Sequence, residues 1–165
     1  MPILEANAFE FFSHSPDQTR RVGMRLGASL RRGNVICLDG NLGTGKTTLV
    51  QGIASGWGST DPVSSPTFVL VNIYRRPDAQ RLAHLDAYRL DSAAEAIDLD
   101  LDALLADGPL VVEWAGKIIE SLPQNHLMIQ LNWMREEHRS MKFIANGAYY
   151  ERLLSSLREN IFRGA

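Results

Sequence analysis

Residues 40–47 read Gly40-Asn41-Leu42-Gly43-Thr44-Gly45-Lys46-Thr47, with Thr48 behind them. This is the Gly-x-x-x-x-Gly-Lys-Thr pattern of a phosphate cradle. Glycine lets successive backbone N–H groups turn inward around an anion. Lys46 brings a cation to the terminal phosphates, and the Thr47 hydroxyl is a ligand for Mg²⁺. The chemistry indicated is that of a nucleoside triphosphate bound with Mg²⁺. Such a site also needs an acidic group near the metal, delivered by another strand. Asp86 and Glu113 are the two candidates. Each closes an apolar segment, Asp86 after Arg81-Leu82-Ala83-His84-Leu85 and Glu113 after Leu110-Val111-Val112.

Secondary contacts are weaker signals. Ser65-Pro66-Thr67-Phe68 lies downstream of the cradle, where nucleotide switches place a hydroxyl near the γ-phosphate. Ser65 and Thr67 are therefore candidate nucleotide contacts. Arg89 and Arg139 have the charge to neutralise a transition state, but their positions equally fit surface arginines. Trp114 follows Glu113 and reads as core. The four histidines, His14, His84, His126 and His138, show no metal-ligand spacing with cysteine or acid.

The elements that must position these groups follow from local pattern. Val35-Ile36-Cys37-Leu38 is an apolar strand entering the cradle, and a helix over 46–55, ending in Gly56-Trp57-Gly58, leaves it with its N-terminal dipole toward the anion. Before them, Ser15-Pro16-Asp17-Gln18 starts a helix carried by Val22, Leu26 and Leu30 and stopped by Gly33. Residues 67–74 and 81–86 read as an antiparallel pair around the turn 75–80. Ser92 with Glu95 opens a short helix, and Asp100 caps the next. Residues 110–114 form a short buried strand after the turn Asp107-Gly108-Pro109. Residues 127–133 and 141–145 close the sheet, and 149–161 make a last helix. Open α/β sheets bind ligands beyond the carboxyl ends of their strands. Glu113 satisfies that rule if its strand runs parallel to the first, and Asp86 if its hairpin folds over the phosphates. The pattern predicts one α/β domain over residues 1–165, a three-layer P-loop NTPase-like fold with a mixed, partly antiparallel central sheet.

Composition narrows the class. The chain has 165 residues, 45% hydrophobic and 22% charged, with a formal net charge of −2. That balance suits a single soluble domain and gives no global attraction to nucleic acid. No run reaches the length of a membrane span, and no basic-then-apolar leader is visible. The lone cysteine, Cys37, sits in the strand before the cradle and reads as small core filler. A cytoplasmic protein is expected. The acidic stretch from Asp86 to Asp107 reads as helix caps and a solvated face, with docking of a basic partner as the alternative. The pairs Arg20-Arg21, Arg31-Arg32 and Arg75-Arg76 are too short for a nucleic-acid patch.

Taken together, these blocks resemble the TsaE (YjeE) family, ATPases of tRNA threonylcarbamoyladenosine synthesis. The likeness rests on the cradle through Thr48, on Ser65-Pro66-Thr67-Phe68, on His84-Leu85-Asp86-Ala87-Tyr88-Arg89-Leu90 and on Val112-Glu113-Trp114, in that order. Weaker echoes are Leu26-Gly27, Gly33, Leu122-Pro123 and Arg139. The cradle is widespread; the His-x-Asp-x-Tyr-Arg and Glu-Trp blocks together are far more specific. The resemblance implies ATP hydrolysis served by Lys46, with Mg²⁺ held by Thr47 and Glu113 and with Asp86 close by. It implies nucleotide contacts along Asn41, Leu42, Gly43, Thr44, Gly45, Lys46, Thr47 and Thr48, and switch-like roles for residues 65–68 and 84–89. It also implies TsaB and TsaD as partners, with tRNA met only through them. In that scheme TsaD transfers the threonylcarbamoyl group, and the ATP cycle resets the complex between turnovers.

The chain departs from the family pattern at Asn41, where Asp is common, and at Thr44, where Ala is common. Both are variable loop positions whose backbone does the binding. His138 stands where a glycine commonly precedes Arg139, which weakens the assignment of Arg139 as a nucleotide contact. Two other readings of the cradle remain at this level. One is a small-molecule P-loop kinase, although the segment between Asp86 and Glu113 is acidic and poor in arginine. The other is a nucleotide-dependent interaction module.

Overall fold

The structure is a computed structural model that describes residues 7–41, 43–64, 71–90 and 99–163. In chain order the strands and helices are β1 (Ala8–Ser13), α1 (Pro16–Ala28), β2 (Val35–Asp39), α2 (Lys46–Trp57), β3 (Val71–Arg75), β4 (Arg81–Asp86), α3 (Leu101–Asp107), β5 (Leu110–Glu113), β6 (His126–Arg135), β7 (His138–Asn146) and α4 (Ala148–Arg163). Two short 3-10 turns, Ala115–Lys117 and Ile119–Ser121, follow β5.

The strands form one seven-stranded sheet in the order β1-β7-β6-β2-β5-β4-β3. β2 is parallel to both β5 and β6, and β4 is parallel to β5. The wings are antiparallel: β3 on β4, β7 on β6, β1 on β7. The carboxyl ends of β4, β5, β2 and β6 therefore meet at one edge. β2 shows why the sheet is covered on both faces. Ile36 and Leu38 enter one apolar cluster, with residues of α1, α2 and α4; Val35 and Cys37 enter the other, with residues of α3 and the 3-10 turns. A strand with no polar face must be sandwiched, and the expected three layers result.

Helix starts follow the predicted chemistry. The Ser15 hydroxyl accepts from Gln18 N at 3.2 Å, with Pro16 in the first turn. Asp100 caps α3 by accepting from Ala103 N at 3.3 Å. The end of α1 differs from expectation. α1 stops at Ala28, before Leu30 and Gly33, because the Ser29 N–H bonds back to Leu26 O at 3.0 Å and closes a tighter final turn. α2 runs to Trp57 and ends on Gly58, whose φ is +116°, within the expected Gly56-Trp57-Gly58 terminus. The closing strands are longer than expected and make a continuous β6–β7 hairpin. β1 is absent from the sequence reading altogether. The predicted Ser92–Glu95 helix start and positions 65–70 lie outside the described residues.

The packing of α1 on α2 fixes where α2 begins. A Cβ on Gly27 would lie 2.0 Å from Ile53 O, and one on Gly23 2.5 Å from Leu49 O. In return, a Cβ on Gly52 would lie 2.1 Å from Arg20 O, and one on Gly56 2.0 Å from Met24 O. Each helix thus presses its bare backbone into the other, closer than any side-chain-bearing pair allows. No helix among the described residues is long and apolar enough to cross a membrane.

Candidate nucleotide site

The cradle joins β2 to α2 at the carboxyl edge. Gly40 takes φ +151°, and a Cβ there would meet Leu131 O at 2.5 Å and Thr44 Oγ1 at 2.9 Å. Only glycine fits between the loop and β6 at this point. Gly45, at φ +98°, occupies the N-cap position of α2, and its carbonyl accepts from Leu49 N at 3.0 Å. Thr44 is buried and its hydroxyl donates to Asn41 O at 2.8 Å. Asp39 accepts from Gly40 N at 3.2 Å. Gly43 is exposed, and Thr47 and Thr48 lie half-buried in the first turn of α2.

Lys46 is buried, and its ammonium donates to Gly40 O and, at 3.2 Å, to Asn41 O. Burial pushes its pKa below the ordinary lysine value, while the carboxylates of Glu113, Asp39 and Asp86 push back. The ammonium is thus held by loop carbonyls at the start of α2, within the field of three carboxylates.

Asp86 and Glu113 stand side by side. They are register partners at the ends of the parallel strands β4 and β5. Asp86 therefore reaches the edge along its own strand, not by a hairpin folding over the loop. Alternation along β4 and β5 puts His84, Asp86 and Glu113 on the face that carries α2, opposite Leu85 and Val112. Glu113 is 3% exposed and bonded to His84 Nε2 through Oε2 at 2.6 Å. His84 is fully buried, and its Nδ1 meets the Tyr74 hydroxyl at 2.8 Å. Asp86 is half-buried and accepts from Tyr88 N at 2.9 Å. Burial pushes its carboxyl above the ordinary range and the charge of Glu113 adds to this; the Tyr88 amide, His84 and Lys46 oppose it.

Trp114 is not core. Its backbone takes φ +57°, it is half-buried, and the Lys46 ammonium sits 4.1 Å from its ring centroid, a cation–π distance. With Asp39, Gly40, Asn41, Gln130 and Asn132 it lines a cavity of about 270 Å³ beside the cradle. Tyr88 packs on the Trp114 ring at 5.0 Å. Arg89 is exposed after β4. Arg139 lies on β7 opposite Trp133, and its guanidinium donates to Glu136 O at 2.7 Å and His138 O at 3.1 Å. It is thus engaged with its own hairpin. Leu42, Ser65 and Thr67 lie outside the described residues. The sequence reading gave Tyr74 and His84 no individual role. The signal for His84 was present, because it lies two residues before Asp86 and shares its face.

A glycine-lined loop between a parallel central strand and a helix, with acids at the ends of neighbouring strands, defines a P-loop-type α/β domain. Within that class the comparisons are specific. Residues 13–141 match the family model described as threonylcarbamoyl adenosine biosynthesis protein TsaE. The chain is 36% identical over 143 residues to the tRNA threonylcarbamoyladenosine biosynthesis protein TsaE of Bacillus subtilis, covering 87% of this chain and 89% of that one. It is 42% identical over 123 residues to the protein of the same name from Mycobacterium bovis, covering 70% and 73% respectively. The crystal structure of Bacillus subtilis YdiB superposes with a TM-score of 0.79 at 32% identity, covering 93% of this chain and 95% of that one. The chain belongs to the TsaE family.

Proposed function

We propose that this protein binds ATP with Mg²⁺ and hydrolyses it in support of threonylcarbamoyladenosine modification of tRNA, in the cytoplasm and together with TsaB- and TsaD-type partners. The observation that carries the reading is the convergence of Lys46, Asp86 and Glu113 at one sheet edge. The donor set suits the ligand. Gly43 and Gly45 take positive φ with open space where a Cβ would stand, the backbone freedom a phosphate-binding turn needs, and two adjacent carboxylates with one hydroxyl match Mg²⁺, which is bound through few carboxylates plus phosphate oxygens. Thr47, Asp86 and Glu113 would hold the ion, whose contribution is to neutralise charge on the phosphates.

The remaining work falls to the chain. The loop amides and the α2 N-terminus bind phosphate oxygens. Lys46 exchanges the carbonyls of Gly40 and Asn41 for phosphate, and the Trp114 ring walls the ammonium from water. Glu113, on a short buried strand, gives a rigid carboxylate at the reacting end. Arg139 is engaged with its own hairpin, and hydrolysis by the chain alone is expected to be slow and to accelerate with partners. The energy of the cycle then serves to reset the partner complex, and the transfer of the threonylcarbamoyl group lies with TsaD.

Single-turnover hydrolysis, with and without a TsaB–TsaD pair, tests this reading. Glu113→Ala is expected to retain ATP and lose turnover; normal turnover by that variant with partners present would remove Glu113 from the mechanism. Release of the labelled γ-phosphate as free phosphate, and not its transfer to a metabolite, separates the ATPase from a kinase.

A further inference from the structure

Behind Glu113 lies a row of buried polar groups that the loop motif does not account for. Tyr74 on β3, His84 on β4 and Glu113 on β5 come from three adjacent strands, and none is more than 3% exposed. The contacts are 2.8 Å from the Tyr74 hydroxyl to His84 Nδ1 and 2.6 Å from His84 Nε2 to Glu113 Oε2. A second acceptor, Ser64 O, lies 3.3 Å from the Tyr74 hydroxyl and also receives Asn72 Nδ2 at 3.1 Å.

Donor accounting orders the Glu113 end of this row. A carboxylate only accepts, so the proton between His84 and Glu113 belongs to Nε2. With Nδ1 as acceptor, the one hydroxyl proton of Tyr74 goes to it. Ser64 O is left to Asn72, its shorter contact. The Tyr74 hydroxyl, both ring nitrogens of His84 and Oε2 of Glu113 all have partners in this arrangement, which is the condition for burying such groups without large loss. Oε2 of Glu113 is occupied from behind, and Oε1 is the oxygen left for the site.

We infer that His84 and Tyr74 are positioning residues for Glu113: the row Tyr74 → His84 → Glu113 clamps one carboxylate oxygen and presents the other to the nucleotide site. The inference rests on the reading of Glu113 as a group that acts on bound Mg²⁺–ATP. It explains why a histidine is fully buried in the sheet when an aliphatic residue would pack there at lower cost. Partners that orient a ligand from behind typically alter activity by about 10–100-fold when removed.

Variants of the full chain test it. His84→Phe keeps an aromatic ring and removes both nitrogens, His84→Gln restores an N–H donor near the position of Nε2, and Tyr74→Phe removes only the hydroxyl. The readouts are the single-turnover rate at saturating ATP and Mg²⁺, and ATP affinity measured without Mg²⁺. His84→Phe is expected to lose about 10–100-fold in rate, with ATP affinity unchanged. His84→Gln should recover part of that loss. Tyr74→Phe should lose a smaller factor, and nothing further when placed on His84→Phe, because the two act in series. A rate in folded His84→Phe equal to that of the wild type overturns the inference. If His84→Phe does not fold, unchanged rates in both Tyr74→Phe and His84→Gln overturn it instead.

Histidine-labelled ¹⁵N NMR of the wild-type chain reads the row independently of turnover. A proton on Nε2 with an accepting Nδ1 is expected for His84, and the opposite tautomer overturns the assignment. Absence of hydrolysis by the wild type, with partners present, counts against the ATPase reading and leaves the tautomer to decide the row.

Discussion

The two halves of the site are held in place by different means. The cradle half is positioned by backbone: Gly40 pressed against Leu131 O, and α2 seated on α1 through Gly23, Gly27, Gly52 and Gly56. The acid half is positioned by side chains: Glu113 by His84 and Tyr74, Asp86 by the amide of Tyr88. Backbone contacts have no alternative rotamer, so the cradle half resists adjustment. Side-chain contacts can be removed one at a time without moving the strands. Changes in the first half should therefore act on stability and binding, and changes in the second on rate.

The largest test is Gly27→Val. Its branched side chain must displace the backbone of Ile53, and such overpacking costs about 3 kcal/mol or more. Urea unfolding should show a much lower midpoint, and a midpoint near that of the wild type would mean that α1 and α2 can slide apart freely. Next is Lys46→Ala. With the ammonium gone, ATP affinity should fall by at least about 100-fold, the equivalent of about 3 kcal/mol for charged hydrogen bonds, while the melting temperature stays close to that of the wild type. Calorimetric titration and a thermal scan together check this.

Asp86→Asn should separate function from stability. The folded chain holds the Asp86 proton more tightly than the unfolded chain does, because burial raises the carboxyl above its ordinary value of 3.8. This group's contribution to stability therefore falls as pH climbs from 3.8 through the raised value, and is level above it. Asn removes that decline and can still accept from Tyr88 N. The melting temperature at neutral pH should rise slightly, while turnover demands more Mg²⁺. Melting curves from about pH 4 to pH 7 show the sign, and a parallel offset at every pH would contradict it.

The smallest expected effect is none at all, at Cys37. It lies on the far face of the strand that leads into the cradle, and burial, with the charge of Asp39 adding, pushes its thiol up to about 12. A thiol reagent at pH 8 should label it only at the rate of global unfolding. Faster labelling would show that β2 opens locally.

How much of this was legible depends on how local each signal is. The cradle, the capped start of α1, the β3–β4 turn and the apolar strand at 110–113 are all written in contiguous residues. β1 was not, because Ala8-Phe9-Glu10-Phe11-Phe12-Ser13 breaks its own alternation and is defined by pairing with β7, more than a hundred residues away. The glycines of α1 and α2 read singly as weak helix positions; their purpose exists only where two helices meet. The contact of Trp114 with Lys46 was not legible, because nothing in a strand pattern foretells the left-handed turn that brings its ring to the ammonium. The row behind Glu113 needed three strands in known order before Tyr74 could be placed in it.

One contact described for the loop sets a timetable. Gly40 is emerging early in synthesis, yet the carbonyl it rests on belongs to Leu131. The first amide of the strand beneath it, Val35 N, gives its proton to the hydroxyl of Tyr150 at 2.9 Å. Both supports are translated about a hundred residues later. Non-local contacts of this kind form late, so the nascent chain carries its cradle on the ribosome well before it can hold a ligand. A ribosome-bound chain shorter than about 150 residues should present that early loop to chaperones and proteases as an open segment.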